Sequence, residues 1–176
     1  MKELHTDVVV IGAGTAGLSA YRNAKQFTPN VLMIESGPYG TTCARVGCMP
    51  SKLLIAAAEA AHSIEMAPAF GVHSSKPRID GKAVMARVKS ERDRFAGFVV
   101  EAVDDIPDED KIRGYAKFLD ANRVQIDDDI IITAKRFVIA TGSRPSYPGV
   151  FNNFGDKLII TGDLFYYQQL PESATT

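Results

Sequence analysis

The sequence has no tryptophan and only two cysteines, Cys43 and Cys48. A disulfide-stapled scaffold is therefore excluded. Charge of one sign is also lacking: 20 basic and 21 acidic residues leave a net charge of −1. No field of that kind draws nucleic acid or an anionic membrane surface, and neither is expected as a partner. No apolar run approaches the ~20 residues that a membrane-spanning helix needs. Glycine and proline, 14 and 9 residues, are near average, which excludes collagen-like and low-complexity classes. The stretch Met1 to Asp7 is polar and lacks the apolar centre of a secretory signal, so a cytoplasmic protein is expected. What remains is ordinary globular composition, 45% apolar and 23% charged, in a 176-residue chain of single-domain size.

Hydrophobic periodicity orders the chain. Thr6–Ile11 is a β-branched run that reads as a buried parallel strand, ending in Gly12-Ala13-Gly14. A helix is expected over Ala16–Phe27, closed by Thr28-Pro29-Asn30, and a second buried strand over Val31–Ile34. Strand, helix and strand within about 30 residues make a βαβ unit with a right-handed crossover and a parallel sheet. Helix formers run from Cys43 to Met66, and Pro68–Pro77 reads as a connection. Another helix is expected over Asp80–Asp104, with Val84, Val88, Phe95, Phe98, Val99, Ala102 and Val103 inward. Lys82, Lys89, Arg92 and Arg94 are expected to face water. Beyond it the period changes to two. Gly114–Leu119, Arg123–Ile126 and Ile130–Thr133 predict an antiparallel meander, and Arg136–Ala140 a separate buried strand. The tail after Pro145 reads as irregular, with one strand at Leu158–Thr161.

Two segments carry chemistry. Gly12-x-Gly14-x-x-Gly17 follows a strand and opens a helix, the context that makes this pattern a dinucleotide signature. The helix N-terminus offers N–H groups and partial positive charge to a pyrophosphate. Glu35, at the end of the second strand, can accept both adenosine-ribose hydroxyls and would repel a 2′-phosphate, which disfavours NADP. The motif alone does not separate FAD from NAD. The second segment is the Cys43-x4-Cys48 pair. Zinc would need further ligands, and the remaining donors are only His5, His62 and His73 plus carboxylates, so no metal is expected. Residues i and i+5 of an ideal helix lie about 8.6 Å apart, beyond the ~7 Å that a disulfide spans. A bridge therefore requires a distorted helix, for which Gly47 and Pro50 are suited. A strained pair of this kind would be catalytic rather than structural, its thiolates favoured by the helix N-terminus and Lys52. Two unpaired core cysteines are the alternative.

Gly40-Thr41-Thr42-Cys43-Ala44-Arg45-Val46-Gly47-Cys48-Met49-Pro50-Ser51-Lys52 resembles the redox-active segment of class I pyridine nucleotide–disulfide oxidoreductases. It is most similar to the dihydrolipoyl dehydrogenase branch. The first GxGxxG, Glu35 and Ala140-Thr141-Gly142-Ser143-Arg144-Pro145 agree with that resemblance, and Thr41 departs from the second glycine usual there. The resemblance implies an α/β fold: a Rossmann-like FAD-binding domain with a parallel sheet, a helical insertion and an antiparallel β-meander. It implies FAD on Gly12, Gly14, Ala16, Gly17, Glu35, Ser36, Thr42, Lys52, Thr141, Gly142 and Ser143. It implies a redox disulfide in which Cys43 exchanges with dihydrolipoamide or a lipoyl-bearing protein, Cys48 donates to the flavin, and Lys52 lies near it. Residues 1–150 are expected to form the first FAD-binding segment and 151–176 a connection toward a NAD-binding domain. NAD and homodimerisation would belong to later domains of a longer protein, so this chain is expected to be inactive alone. Mercuric reductase, another disulfide reductase, and a non-enzymatic dinucleotide-binding module are the other readings.

Overall fold

The computed structural model describes residues 1–171 and 173. Part of the expected connection, 151–176, lies outside the described residues. In chain order the elements are β1 (Lys2–Ile11), α1 (Thr15–Ala24), β2 (Val31–Glu35), α2 (Thr42–Val46), α3 (Cys48–Met66) and α4 (Gly81–Asp104). There follow β3 (Lys111–Arg113), β4 (Ala116–Phe118), β5 (Arg123–Ile126), β6 (Ile130–Ile139) and α5 (Thr161–Leu164). The chain divides into two compact units, each made of two segments. One comprises 1–41 and 97–144, the other 42–96 and 145–176.

The first unit is built on a six-stranded sheet in the order β3-β2-β1-β6-β5-β4. Strands β3, β2, β1 and β6 run parallel, and β5 and β4 continue antiparallel. This is the Rossmann-like α/β arrangement that the βαβ unit and the meander predict. Helix α1 covers one face. Its Leu18 and Tyr21 pack with Val10, Val31, Met33, Val103 and Ile106. On the other face Val9, Ile11 and Ile34 meet Val124, Ile126, Ile132 and Ala134 of the meander. Val9, Val10, Val124 and Ile132 are completely buried, each worth about 1.5–3 kcal/mol in apolar transfer.

Ile130–Thr133 and Arg136–Ala140 are not two strands; β6 is continuous over ten residues. Its inward residues are Ile130, Ile132 and Ala134, and then Phe137. The alternation slips by one between Ala134 and Phe137, and strict period-two reading splits the strand there. β1 slips at the same level, from Leu4 to Val9 on that face. At the slip the N–H groups of both Asp7 and Val8 donate to the Asn30 carbonyl, at 3.1 and 3.2 Å. The paired slips keep the β1–β6 register constant from Lys2↔Ile130 to Ile11↔Ile139. An ion pair of 2.6 Å between Lys135 and Asp7 bridges the two strands at that level.

β1 starts at Lys2, not Thr6, because polar Lys2–Thr6 has β6 as a partner. β3 is too short to show periodicity. α1 ends at Ala24, after which Gln26 and Phe27 donate to Asn23 and Ala24 in a tightened turn. α4 matches its expected span, but Phe98 is exposed, whereas Met85 is completely buried. Arg92 does not face water, since its Nη1 donates to the Phe165 carbonyl at 3.0 Å. Leu158–Thr161 is not a strand; 3-10 turns over Gly149–Lys157 lead into α5. Phe165, 1% exposed, is the largest buried side chain of the second unit. No helix among the described residues is long and apolar enough to cross a membrane.

Candidate functional site

The glycine-rich turn joins β1 to α1 in the first unit. β1 lies between β2 and β6, and the chain order reverses between β1 and β6. Open α/β sheets bind ligands beyond the strand carboxyl ends at such a switch point. The loops after both strands meet there. A Cβ on Gly12, whose φ is +109°, would lie 2.2 Å from the Ala140 carbonyl oxygen. A Cβ on Gly17 would lie 1.8 Å from the Gly12 carbonyl oxygen. These two glycines are required by the fold itself. Gly14 differs, because nothing lies within 4 Å of a Cβ placed there. It caps the N-terminus of α1, and the following Thr15 and Ala16 are exposed. That open cradle, lined by helix N-terminal backbone, fits the pyrophosphate of a dinucleotide.

Glu35 closes the side of this loop. Its Oε2 accepts from the Ala13 N–H at 2.8 Å, and its Oε1 accepts from the Gly37 N–H at 2.7 Å. Each carboxylate oxygen keeps a further acceptor site for a ribose hydroxyl. Arg113 is a contributor that the sequence did not reveal. It donates to the Gly37 carbonyl at 2.6 Å and stacks over the Tyr39 ring at 4.5 Å, which fixes the loop that orients Glu35. Ser36 is exposed at the start of that loop. Thr141, Gly142 and Ser143 are exposed immediately after β6, and Gly142 takes φ +71°. Gly40 and Thr41 both have positive φ, +109° and +57°. Thr41 thus occupies the left-handed region that glycine ordinarily fills, at a cost on the order of 1–2 kcal/mol.

The cysteines belong to the second unit. The segment is not one distorted helix but two helices, α2 and α3, that meet at Gly47, whose φ and ψ are −130° and −119°. A Cβ at Gly47 would sit 3.0 Å from the Thr42 carbonyl oxygen. Pro50 is buried in the first turn of α3, where its missing N–H costs nothing. The break places Cys43 within α2 and Cys48 at the first position of α3, rather than five residues apart on one regular helix. The structure holds both cysteines as thiols, the reduced counterpart of the expected disulfide. The Cys43 thiol is pushed up, not down, first by its hydrogen bond with Cys48 and then by burial. The charge of Lys52, which is exposed on α3, acts in the opposite direction and is the smaller effect. Cys43 is half-buried and Cys48 exposed, so exposure alone does not single out Cys43 as the exchanging sulfur. Thr42 is exposed at the start of α2. Among the described residues, no group of three or more His, Cys, Asp or Glu side chains could hold a metal.

A family described as pyridine nucleotide-disulphide oxidoreductase matches residues 6–174. A mercuric reductase of Lysinibacillus sphaericus is 35% identical over 99% of this chain and 32% of its own length. A glutathione reductase of Burkholderia cepacia is 32% identical over 93% of this chain and 35% of its own. A dihydrolipoyl dehydrogenase of Chlamydia muridarum is 31% identical over 94% of this chain and 36% of its own. The chain therefore spans about a third of the length of these relatives. The HOCl-induced flavoprotein disulfide reductase RclA of Escherichia coli shares the fold. Its TM-score is 0.72 at 22% identity, over 94% of this chain and 35% of that one.

Proposed function

The chain belongs to the pyridine nucleotide-disulphide oxidoreductase family, and on that premise we propose that it is the FAD-binding, dithiol-bearing part of an enzyme that oxidises dihydrolipoamide with NAD. The observation that carries this reading is the helix break at Gly47, which sets Cys43 on α2 and Cys48 at the start of α3 so that the pair does not lie on one regular helix. Gly12, Gly14, Ala16 and Gly17 would hold the FAD pyrophosphate, Glu35 the ribose, and Ser36, Thr42, Lys52 and Thr141–Ser143 further parts of the cofactor. When bound, FAD supplies a two-electron acceptor.

The chain's own chemistry is thiol–disulfide exchange. In the oxidised form, a dihydrolipoyl thiolate attacks the Cys43 sulfur and Cys48 leaves as a thiolate. The second substrate thiol then attacks the mixed disulfide. It displaces the Cys43 sulfur and closes the lipoyl disulfide. Two electrons and two protons pass from substrate to the cysteine pair.

Mercuric ion reduction is the second reading, favoured by the mercuric reductase that is 35% identical over nearly the whole chain. A pair of adjacent thiolates is a soft ligand set suited to such an ion. Anaerobic addition of dihydrolipoamide to the oxidised chain separates the two. Regeneration of both thiols, lost in Cys48→Ser, is expected. An oxidised chain inert to dihydrolipoamide, whose reduced form takes up Hg(II) at the cysteine pair, would favour the second reading instead.

A further inference from the structure

β1 is ten residues long, but β2 accompanies only its last four, beginning at Val8↔Val31. Over Lys2–Thr6 the strand has β6 on one side and, among the described residues, no strand on the other. The Lys2 N–H donates to the Asp129 carbonyl on the β6 side, at 2.7 Å. Backbone groups alternate along a strand, so those of Glu3 and His5 point away from β6. The Asp7 N–H, next in that alternation, reaches the Asn30 carbonyl on that same outer side. Glu3 and His5 are exposed, and among the described residues their outward N–H and C=O groups have no partner. A groove of about 830 Å³ runs beside this edge, lined by Leu4, His5, Asn30, Leu32, Asp108 and Lys111 among others.

We propose that this edge docks a second copy of the chain, Lys2–Thr6 of each pairing antiparallel across a two-fold axis at Leu4. In that register Glu3 faces His5 of the second copy, and His5 faces its Glu3. Both are residues whose backbone groups point outward, so each opposed pair exchanges two hydrogen bonds, four in all. Lys2 faces Thr6, and the two Leu4 residues form the close, non-hydrogen-bonded pair at the axis. Charged residues ordinarily protect an edge strand from pairing. Here their order makes the edge self-complementary. Centring the axis on Glu3 would set two carboxylates face to face. Centring it on His5 would oppose two imidazoles and bring Glu3 against Asp7, whose N–H is already engaged. Only the Leu4-centred register places a carboxylate against an imidazole twice. An isologous contact of this kind closes as a dimer and leaves no free copy of the edge.

Sedimentation of the full chain tests this directly. A dimer whose fraction rises with concentration is expected. Glu3→Lys should give a monomer. So should His5→Pro, which removes only an outward N–H, a change that an edge strand tolerates; its thermal melt by circular dichroism should match the parent's. Glu3→His combined with His5→Glu should restore the dimer, because the pairing is preserved with the roles exchanged. Leu4→Cys, with Cys43→Ser and Cys48→Ser, should cross-link to a dimer under oxidation, since opposed Cα atoms at such a site lie about 4.5 Å apart. A parent chain monomeric at all concentrations overturns the proposal. So does a dimer that survives His5→Pro, or one in which Leu4→Cys fails to cross-link.

Discussion

Three glycines in one motif do different work, and substitution separates them. Gly17→Ala drives a methyl group into the backbone carbonyl of Gly12, with the new Cβ 1.8 Å from its oxygen and 2.8 Å from its carbon. A loss of about 3 kcal/mol or more is expected in urea unfolding, since neither atom can move aside. Gly14→Ala meets open space at an allowed φ of −78°, so stability should change by less than about 0.5 kcal/mol. Its FAD affinity should nevertheless fall, because the added methyl occupies the cradle. Equal losses of stability in the two variants would mean that the motif serves only the fold. At the dithiol, the hydrogen bond with Cys48 is the largest cause that raises the Cys43 thiol. Cys48→Ala should therefore lower it, and alkylation of Cys43 followed against pH should show its midpoint moving down. An unmoved midpoint would show that burial dominates.

At the scale of elements, two polar contacts decide how strands and helices are joined. Asp110, 7% exposed, accepts from the Tyr21 hydroxyl at 2.7 Å and from Lys25 Nζ at 2.6 Å. It ties α1 to the turn before β3. Burial and then Asp110 push the Tyr21 hydroxyl far up, so it stays protonated and donates. Asp110→Ala leaves both donors without this acceptor and should cost about 2–3 kcal/mol. Asp7 acts where β1 and β6 slip together. Lys135, then Thr28 and Asn30, hold its carboxyl down to about 2. A carboxylate kept ionised in the folded chain stabilises it fully above the ordinary carboxylate range and loses that contribution as pH falls toward about 2. The melting temperature of the parent should thus fall more steeply between pH 4 and pH 2 than that of Asp7→Asn. Parallel curves would show that the ion pair is inert.

For the whole molecule, the chain should not turn over dihydrolipoamide with NAD by itself. It has one GxGxxG, at Gly12–Gly17, and it spans about a third of the length of the relatives it matches. Dihydrolipoamide oxidation by NAD needs a site for each reactant, and a general base at the thiol alone is typically worth 10²–10⁴ in rate. With FAD, dihydrolipoamide and NAD supplied, NADH absorbance should not rise above the enzyme-free rate. A rise that disappears in Cys48→Ser would show that the parts here suffice.

The order of residues alone determined the βαβ unit, the glycine turn, the helix over Gly81–Asp104 and the chemical character of the Cys43–Cys48 segment. Each depends on near neighbours: β-branched runs, a 3.6-residue stripe, and a spacing that a regular helix cannot bridge. Tertiary structure decided the rest. It made β6 one strand, because a slip in β1 compensates its own slip and no local pattern records a partner. It paired polar Lys2–Thr6 with Ile130–Ala134, far along the chain, and placed Arg113 against the loop that orients Glu35. It also raised the Cys43 thiol where helix-terminus reasoning expects a lowered one, since a sulfur brought close across the Gly47 break outweighs the charge of Lys52. Long-range pairing and burial set these features, and neither is written in the composition or period of the segments they join.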